Sequence, residues 1–435
     1  MKQNYLTVSF KNKPLGRFSG FIFFGLLYFF ILTPYLEVGR FIIHTGMLAL
    51  ALTFSVFYKS LWPTIRGADF FCFMLFMLML TTWVSLNSVI RAGVLDFSYQ
   101  RCYINLALYF FAGGVVGNFF RARRVPFQQI FYWLLKAIVL VAAINATIII
   151  LEFFFPPFKA LIESFLYLSD NSNINYTERL YRLRGFAAGG AANQSVFLGA
   201  AAVILLALFM GRRVSFVAFS FQFLFILISL LLVGRTGIFV VIIGFGMLLF
   251  VQPTLKAKIN KRAMYFMVLF LVLILSAPVL LPYFVPEYII SNSVIFLYSG
   301  IDGIKEEGTL SVLLEMFNIS EHWHQFVFGV GNGSGNFSDG VSSDLGYMKA
   351  FTALGVPLGV LLYLFFIILL NSAFRIAPER FLMATLTLIF FVVEIKEPLI
   401  FKGYFARTIW FMVGLSIAYR GQRFWSMDHA TQIRS

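Results

Sequence analysis

Charge is scarce in this chain. Of its 435 residues only 12% are charged and 19 are acidic, whereas 60% are hydrophobic and the mean hydropathy is +0.86. Soluble domains keep roughly a quarter of their residues charged, so a water-soluble globular fold is excluded. Cysteine is nearly missing. Cys72 and Cys102 support neither a disulfide framework nor a thiolate metal site. Heptads, low-complexity tracts and internal repeats are absent. The two halves also lack the matched Gly/Pro-broken apolar segments that an inverted-repeat transporter shows.

What is present is apolar sequence in runs of roughly 17 to 25 residues, each long enough to cross about 30 Å of hydrocarbon as a helix. About twelve such runs can be drawn, near 18–36, 41–58, 69–86, 103–120, 129–154, 190–210, 214–233, 237–253, 263–283, 346–370, 381–395 and 403–419. The expected fold is therefore all-α and polytopic, a single integral membrane domain over 1–435. Lys and Arg give the orientation, because cytoplasmic loops retain positive charge. Lys11, Lys13 and Arg17, then Arg121, Arg123 and Arg124, then Arg212 and Arg213, then Lys256 to Arg262 fall in alternate connections with few acids. Both termini are then cytoplasmic. Residues 1–17 are basic without a small-residue cleavage site, so the first span reads as a retained anchor. The net charge of +15 expresses this topology and calls for no nucleic acid.

Two connections on the opposite side are long, 155–189 and 284–345. The second carries Glu306, Glu307, Glu315, Glu321, Asp339 and Asp344 against a single Lys305, so it is acidic. Within it, 309–328 has the mixed character of a helix lying on the membrane surface. His322 and His324 lie there, two residues apart and so on different helix faces.

Cations also occur on that external side, where they are normally few. Arg182 and Arg184 (YRLRGF) end the first long loop, ahead of the small-residue stretch FAAGGAANQSVFLGAAA. Arg235 stands in LLLVGRTGIFVV, the one formal charge of 214–252. An ionisable group at such a depth is costly unless paired or hydrated and is a candidate functional residue. Arg407, Lys396 and Lys402 (EIKEPLIFKGYFAR) lie on the same side. The plainer alternative is snorkelling to headgroups or pairing with acids, for Lys396 with Glu394 and Glu397.

A third element is 328–362, FGVGNGSGNFSDGVSSDLGYMKAFTALGVPLGVLL. Its Gly, Ser and Asn make a loop able to bring backbone amides and Asn332 near a ligand. It runs through Ser343 and Asp344 into a helix expected from Gly346, with Tyr347 in its first turn. Asp344 stands at the expected N-cap, and capping alone would explain it.

Together R-x-R-G-F, G-R-T-G and G-V-G-N-G-x-G followed by S-D-L-G-Y-M and G-V-P-L-G resemble the O-antigen polymerase and ligase group of bacterial envelope proteins. The resemblance covers about residues 180–362 directly. It implies a GT-C-like fold of the inner membrane with a periplasmic active site. The ligases of that group carry a histidine before the last motif helix, where this chain has Ser343 and Asp344, so the resemblance favours a Wzy-type polymerase. Such an enzyme transfers a growing glycan from undecaprenyl pyrophosphate to a hydroxyl of a new lipid-linked repeat unit. Chain-length regulator and flippase are the partners it implies.

That chemistry needs charge compensation for a pyrophosphate leaving group. No Asp-x-Asp occurs to hold a metal, and no cofactor is expected. Arginine supplies the same compensation with a planar, bidentate fork. Arg184 and Arg235 are the expected pyrophosphate ligands, and Asp344 leads the candidates for the base, with His322, His324, Glu37, Asp96, Glu394 and Glu397 as the alternatives on that side. Arg182, Arg407, Lys396, Lys402, Asn332, Ser343 and Tyr347 would line the substrate site. A lipid-linked oligosaccharide flippase and a non-enzymatic assembly component are the readings from other classes.

Overall fold

The structure, a computed structural model, describes residues 17–38, 41–92, 97–167, 183–187, 189, 191–251, 322–331, 345–396, 398–401 and 403–432, with single positions 264, 268, 272 and 276. It is mostly helical and polytopic. In chain order come α1 (Arg17–Leu32), a hairpin of β1 (Tyr35–Val38) and β2 (Phe41–His44), α2 (Thr45–Val56) and α3 (Leu61–Ile65). Next are α4 (Ala68–Ala92), α5 (Ser98–Ala122), α6 (Phe127–Phe154) and α7 (Pro156–Phe165). Then follow α8 (Ala191–Met210), α9 (Phe216–Val233), α10 (Arg235–Val251) and α11 (Trp323–Phe328). The chain closes with α12 (Gly346–Leu354), α13 (Val356–Phe374), α14 (Arg380–Glu394) and α15 (Tyr404–Gln432).

Among the described residues, α4, α5, α6, α8, α9 and α13 are long and apolar enough to cross a membrane. A seventh span results if α2 and the segment Tyr58–Ile65, bent by 76°, are counted as one. The chain is thus a membrane protein. Its most enclosed span is α8, 89% buried against 28% for α4. The run of Ala and Gly in α8 is the reason, since small side chains let neighbouring helices close around it. The same device joins α5 to α15. A Cβ on Gly113 would stand 2.0 Å from the Phe411 carbonyl oxygen, and one on Gly414 would stand 1.9 Å from that of Phe110. Only a hydrogen at both positions permits this crossing.

Polar contacts sort the bundle into two ends. At one, Arg121 donates to the Ala418 carbonyl at 2.7 Å, Tyr132 to Glu379 at 2.5 Å and Arg420 to Ser372 at 2.7 Å, while Arg213 lies over the Tyr132 ring. Arg420 also stands 3.8 Å from Asp69. The other end carries the hairpin, α7 and the starts of α8, α10, α12 and α15.

Two local features depart from the hydropathy pattern. The junction of the runs at 18–36 and 41–58 is an antiparallel hairpin in which Glu37 faces Ile42. Pro34 helps explain it, because Pro disfavours helix in the residue before it, and Thr33 has φ 40°. The run 346–370 is two helices broken at Gly355, whose φ of 84° closes α12 while Pro357 opens α13. Of the expected surface helix at 309–328, residues 322–328 are described, and Trp323–Phe328 is helical.

Candidate functional site

The site is built around the first turn of α8. Gln194 donates to the Arg184 carbonyl at 2.7 Å, and Asn145 of α6 donates to the same oxygen at 3.3 Å. The amides that follow are held too. Gly185 donates to Glu152 Oε2 at 3.0 Å and Phe186 to Asn145 Oδ1 at 2.9 Å. Gly185 has φ +58°, and a Cβ there would stand 2.5 Å from Asn145 Oδ1. The R-G-F segment is thus clamped between α6 and α8, with Arg184 only 5% exposed. Glu152, 4% exposed, lies within electrostatic reach of Arg184, Lys159 and Glu163.

The next residue of α8 receives the second motif. Ser195 Oγ accepts the Gly237 amide at 3.2 Å, and a Cβ on Gly237 would stand 2.2 Å from the Ser195 carbonyl oxygen. The last glycine of G-R-T-G therefore lets α10 lie directly on α8. Arg235 opens α10 two residues earlier, so its backbone is placed beside the start of α8. Thr236 accepts from Lys396, an exposed residue just past the end of α14, at 3.4 Å.

The end of α14 in turn holds the third motif. Glu394 is fully buried, and its two oxygens accept from the Tyr363 hydroxyl at 3.1 Å and the Ile400 amide at 2.8 Å. Gly346, the first residue of α12, lies so close that a Cβ would stand 2.4 Å from Glu394 Oε1. Tyr347 donates to the Phe391 carbonyl at 2.8 Å and lies against the Tyr363 ring at 4.7 Å. The F-G-V-G segment ahead is fixed as well, since Asn87 donates to the Phe328 carbonyl at 2.9 Å and Val330 donates to that of Thr352 at 2.6 Å.

The structure thus brings the Arg184 segment, the Arg235 turn, Lys396 and the Tyr347 turn to one end. Arg407 is on the same end but engaged elsewhere. Its Nη1 donates to the Ile31 carbonyl at 2.9 Å and to Thr33 Oγ1, its Nε donates to Tyr109 at 3.2 Å, and it lies over the Tyr109 and Tyr404 rings. A cation on the last carbonyls of α1 is helix C-capping. Arg182, Asn332, Ser343, Asp344 and Lys402 lie outside the described residues. The capping expected of Asp344 is corrected, because the N-cap of α12 is Leu345 and makes no side-chain cap bond. Of the expected pairing of Lys396 with Glu394 and Glu397, Glu397 lies outside the described residues, while Lys396 donates to Thr236 and Glu394 accepts from Tyr363 and Ile400.

Sequence reading passed over Asn145, Glu152, Gln194 and Ser195. Glu152 had a signal, an acid inside an apolar run. Gln194 and Ser195 had none, because small polar residues in a helix are ordinary.

Chemically this end offers guanidinium groups, a lysine and helix starts. The N-termini of α8, α10 and α12 lie at that end, and their dipoles favour negative charge. Fold and site define a polytopic helical membrane protein with a polar, cation-bearing end. No protein-family model matches the chain, and no curated protein matches it.

Proposed function

We propose that this protein is a membrane glycosyltransferase of the O-antigen polymerase type. It joins undecaprenyl-pyrophosphate-linked repeat units at the periplasmic face of a bacterial inner membrane. In this reading about twelve spans leave both termini in the cytoplasm, and the basic end is cytoplasmic. The observation that carries the reading is the convergence of L-R-G-F, G-R-T-G and G-Y-M on one end, through Gln194, Ser195 and Glu394.

Arg184 and Arg235 stabilise the departing lipid pyrophosphate, whose charge rises as the glycosidic bond to it breaks. Asp344, one residue ahead of the α12 cap, takes the proton of the attacking sugar hydroxyl. Lys396, Lys402 and Arg182 compensate the remaining negative charge, and Asn332, Ser343 and Tyr347 line the glycan path. Partners in this account are the lipid-linked donor and acceptor, a chain-length regulator and a flippase.

The test is the glycan made by cells that depend on this chain. Arg235→Ala leaves one-repeat lipid-linked product and abolishes long polymer at normal protein level, and Arg235→Lys is nearly as poor because a point charge does not reproduce the fork. An unchanged ladder in Arg235→Ala sinks the assignment.

A further inference from the structure

We infer that α7 and the β1–β2 hairpin form a platform embedded in the headgroup layer of the membrane, its partner being the lipid leaflet at the candidate-site end. The inference rests on the chain being a membrane protein and not on the proposed reaction.

Chain geometry sets the depth. The span α6 ends at Phe154, Phe155 alone intervenes, and α7 begins at Pro156, with Pro at the first turn turning the chain. One residue cannot carry α7 away from the surface that α6 has just reached. The hairpin is tied to the same level, because Tyr167 donates to the Tyr35 carbonyl at 2.8 Å and Leu36 bridges Leu166.

Side chains give the occupant. Phe154, Phe155, Leu161 and Phe165 are 63%, 58%, 52% and 52% exposed, and Phe41, at 76%, leads an exposed run Phe41–His44 in β2. Positions 161 and 165 share one helical stripe. Ile162 turns into the protein, while Lys159 and Glu163 pair at 3.9 Å along another edge. So α7 has a packed sector, an apolar sector and a polar sector, as an interfacial helix requires.

The hairpin excludes the two neighbouring environments. In water, a two-stranded ribbon with an exposed Phe-Ile-Ile edge is marginal and prone to pair with other chains. In the hydrocarbon core, the outer edge of β2, which pairs with no further strand among the described residues, would leave backbone groups without partners. The headgroup layer supplies apolar contact for the side chains and water for the edge. This surface is continuous with the apolar belt of α6 through Phe154. It also adjoins the candidate site, because Glu152, which holds the Gly185 amide, lies one turn earlier in α6.

The test uses full-length protein with Cys72 and Cys102 replaced by Ser, carrying one nitroxide label at Phe41→Cys, Leu161→Cys, Phe165→Cys or Ala160→Cys. Each is reconstituted in phosphatidylethanolamine and phosphatidylglycerol vesicles, and collision with oxygen is compared with collision with a water-soluble nickel chelate. The expected result is an oxygen-to-nickel ratio several-fold higher at 41, 161 and 165 than at 160. High nickel collision at all four positions overturns the inference in favour of water. Low collision with both reagents at 41, 161 and 165 overturns it in favour of protein cover, a second copy or another segment of this chain. Unsubstituted protein gives a check free of folding effects. A diazirine-bearing phospholipid should label the peptides containing 41–43 and 161–165, and their absence among labelled peptides contradicts the platform.

Discussion

The amide of Gly237 donates to Ser195 Oγ at 3.2 Å, one residue beyond Gln194, which holds the carbonyl of Arg184 at 2.7 Å. Two motifs about fifty residues apart in the chain are thereby fastened to successive side chains of one helix turn. An arginine-bearing turn and an arginine-bearing helix start are fixed relative to each other by buried hydrogen bonds, so their spacing is set before any ligand arrives.

Gly237→Ala places a methyl group 2.2 Å from the Ser195 carbonyl oxygen and forces α10 off α8. Overpacking of this kind costs about 1–3 kcal/mol or more, and thermal unfolding in detergent should show a clear loss. Gly246 meets nothing within 4 Å, so Gly246→Ala should be neutral or gain up to about 1 kcal/mol.

Glu152→Gln keeps an acceptor for the Gly185 amide, whereas Glu152→Ala leaves that buried amide unpaired at a cost of about 1–3 kcal/mol. Melting temperature should follow the order wild type, Gln, Ala. A Gln variant as unstable as Ala would show that the hydrogen bond at 3.0 Å is not what the carboxylate contributes.

Arg407→Ala removes the cation that caps α1 and frees Tyr109. Stability should fall, and Arg407→Lys should restore it only in part, because one ammonium does not span carbonyl, hydroxyl and phenol together. Wild-type stability in the Ala variant would return Arg407 to the list of ligands.

Asp344 separates two explanations. Leu345 occupies the N-cap of α12, so Asp344→Asn should leave stability unchanged, and polymer formation should be lost because the amide takes no proton. Full activity in this variant would remove Asp344 as the base.

The helical character was legible, because an apolar run leaves few alternatives to a span, and six of the expected runs are long, apolar helices among the described residues, whereas 263–283 lies almost wholly outside them. The break at Gly355 was not anticipated, because 346–370 reads as one continuous apolar run, and the close approach at Gly237 depends on a neighbour, Ser195, that the turn itself does not name. The hairpin was hidden, since Tyr35–Val38 and Phe41–His44 are apolar enough to merge with the flanking runs and their period of two is too short to stand out. Arg407 and Glu394 were visible as charges, but their partners Thr33, Tyr109, Tyr363 and Ile400 come from distant helices. Helix periodicity names the buried face and not the neighbour on it, so the roles of Gln194 and Ser195 emerge only in three dimensions.

The most direct measurement is transfer by purified protein supplied with one lipid-linked repeat unit, comparing chain extension with transfer to lipid A and with translocation across the vesicle. The account predicts a ladder of extended lipid-linked glycan that Arg184→Ala and Arg235→Ala abolish while the protein stays folded. Translocation or lipid A transfer without extension, or a ladder unaffected by both substitutions, would contradict it.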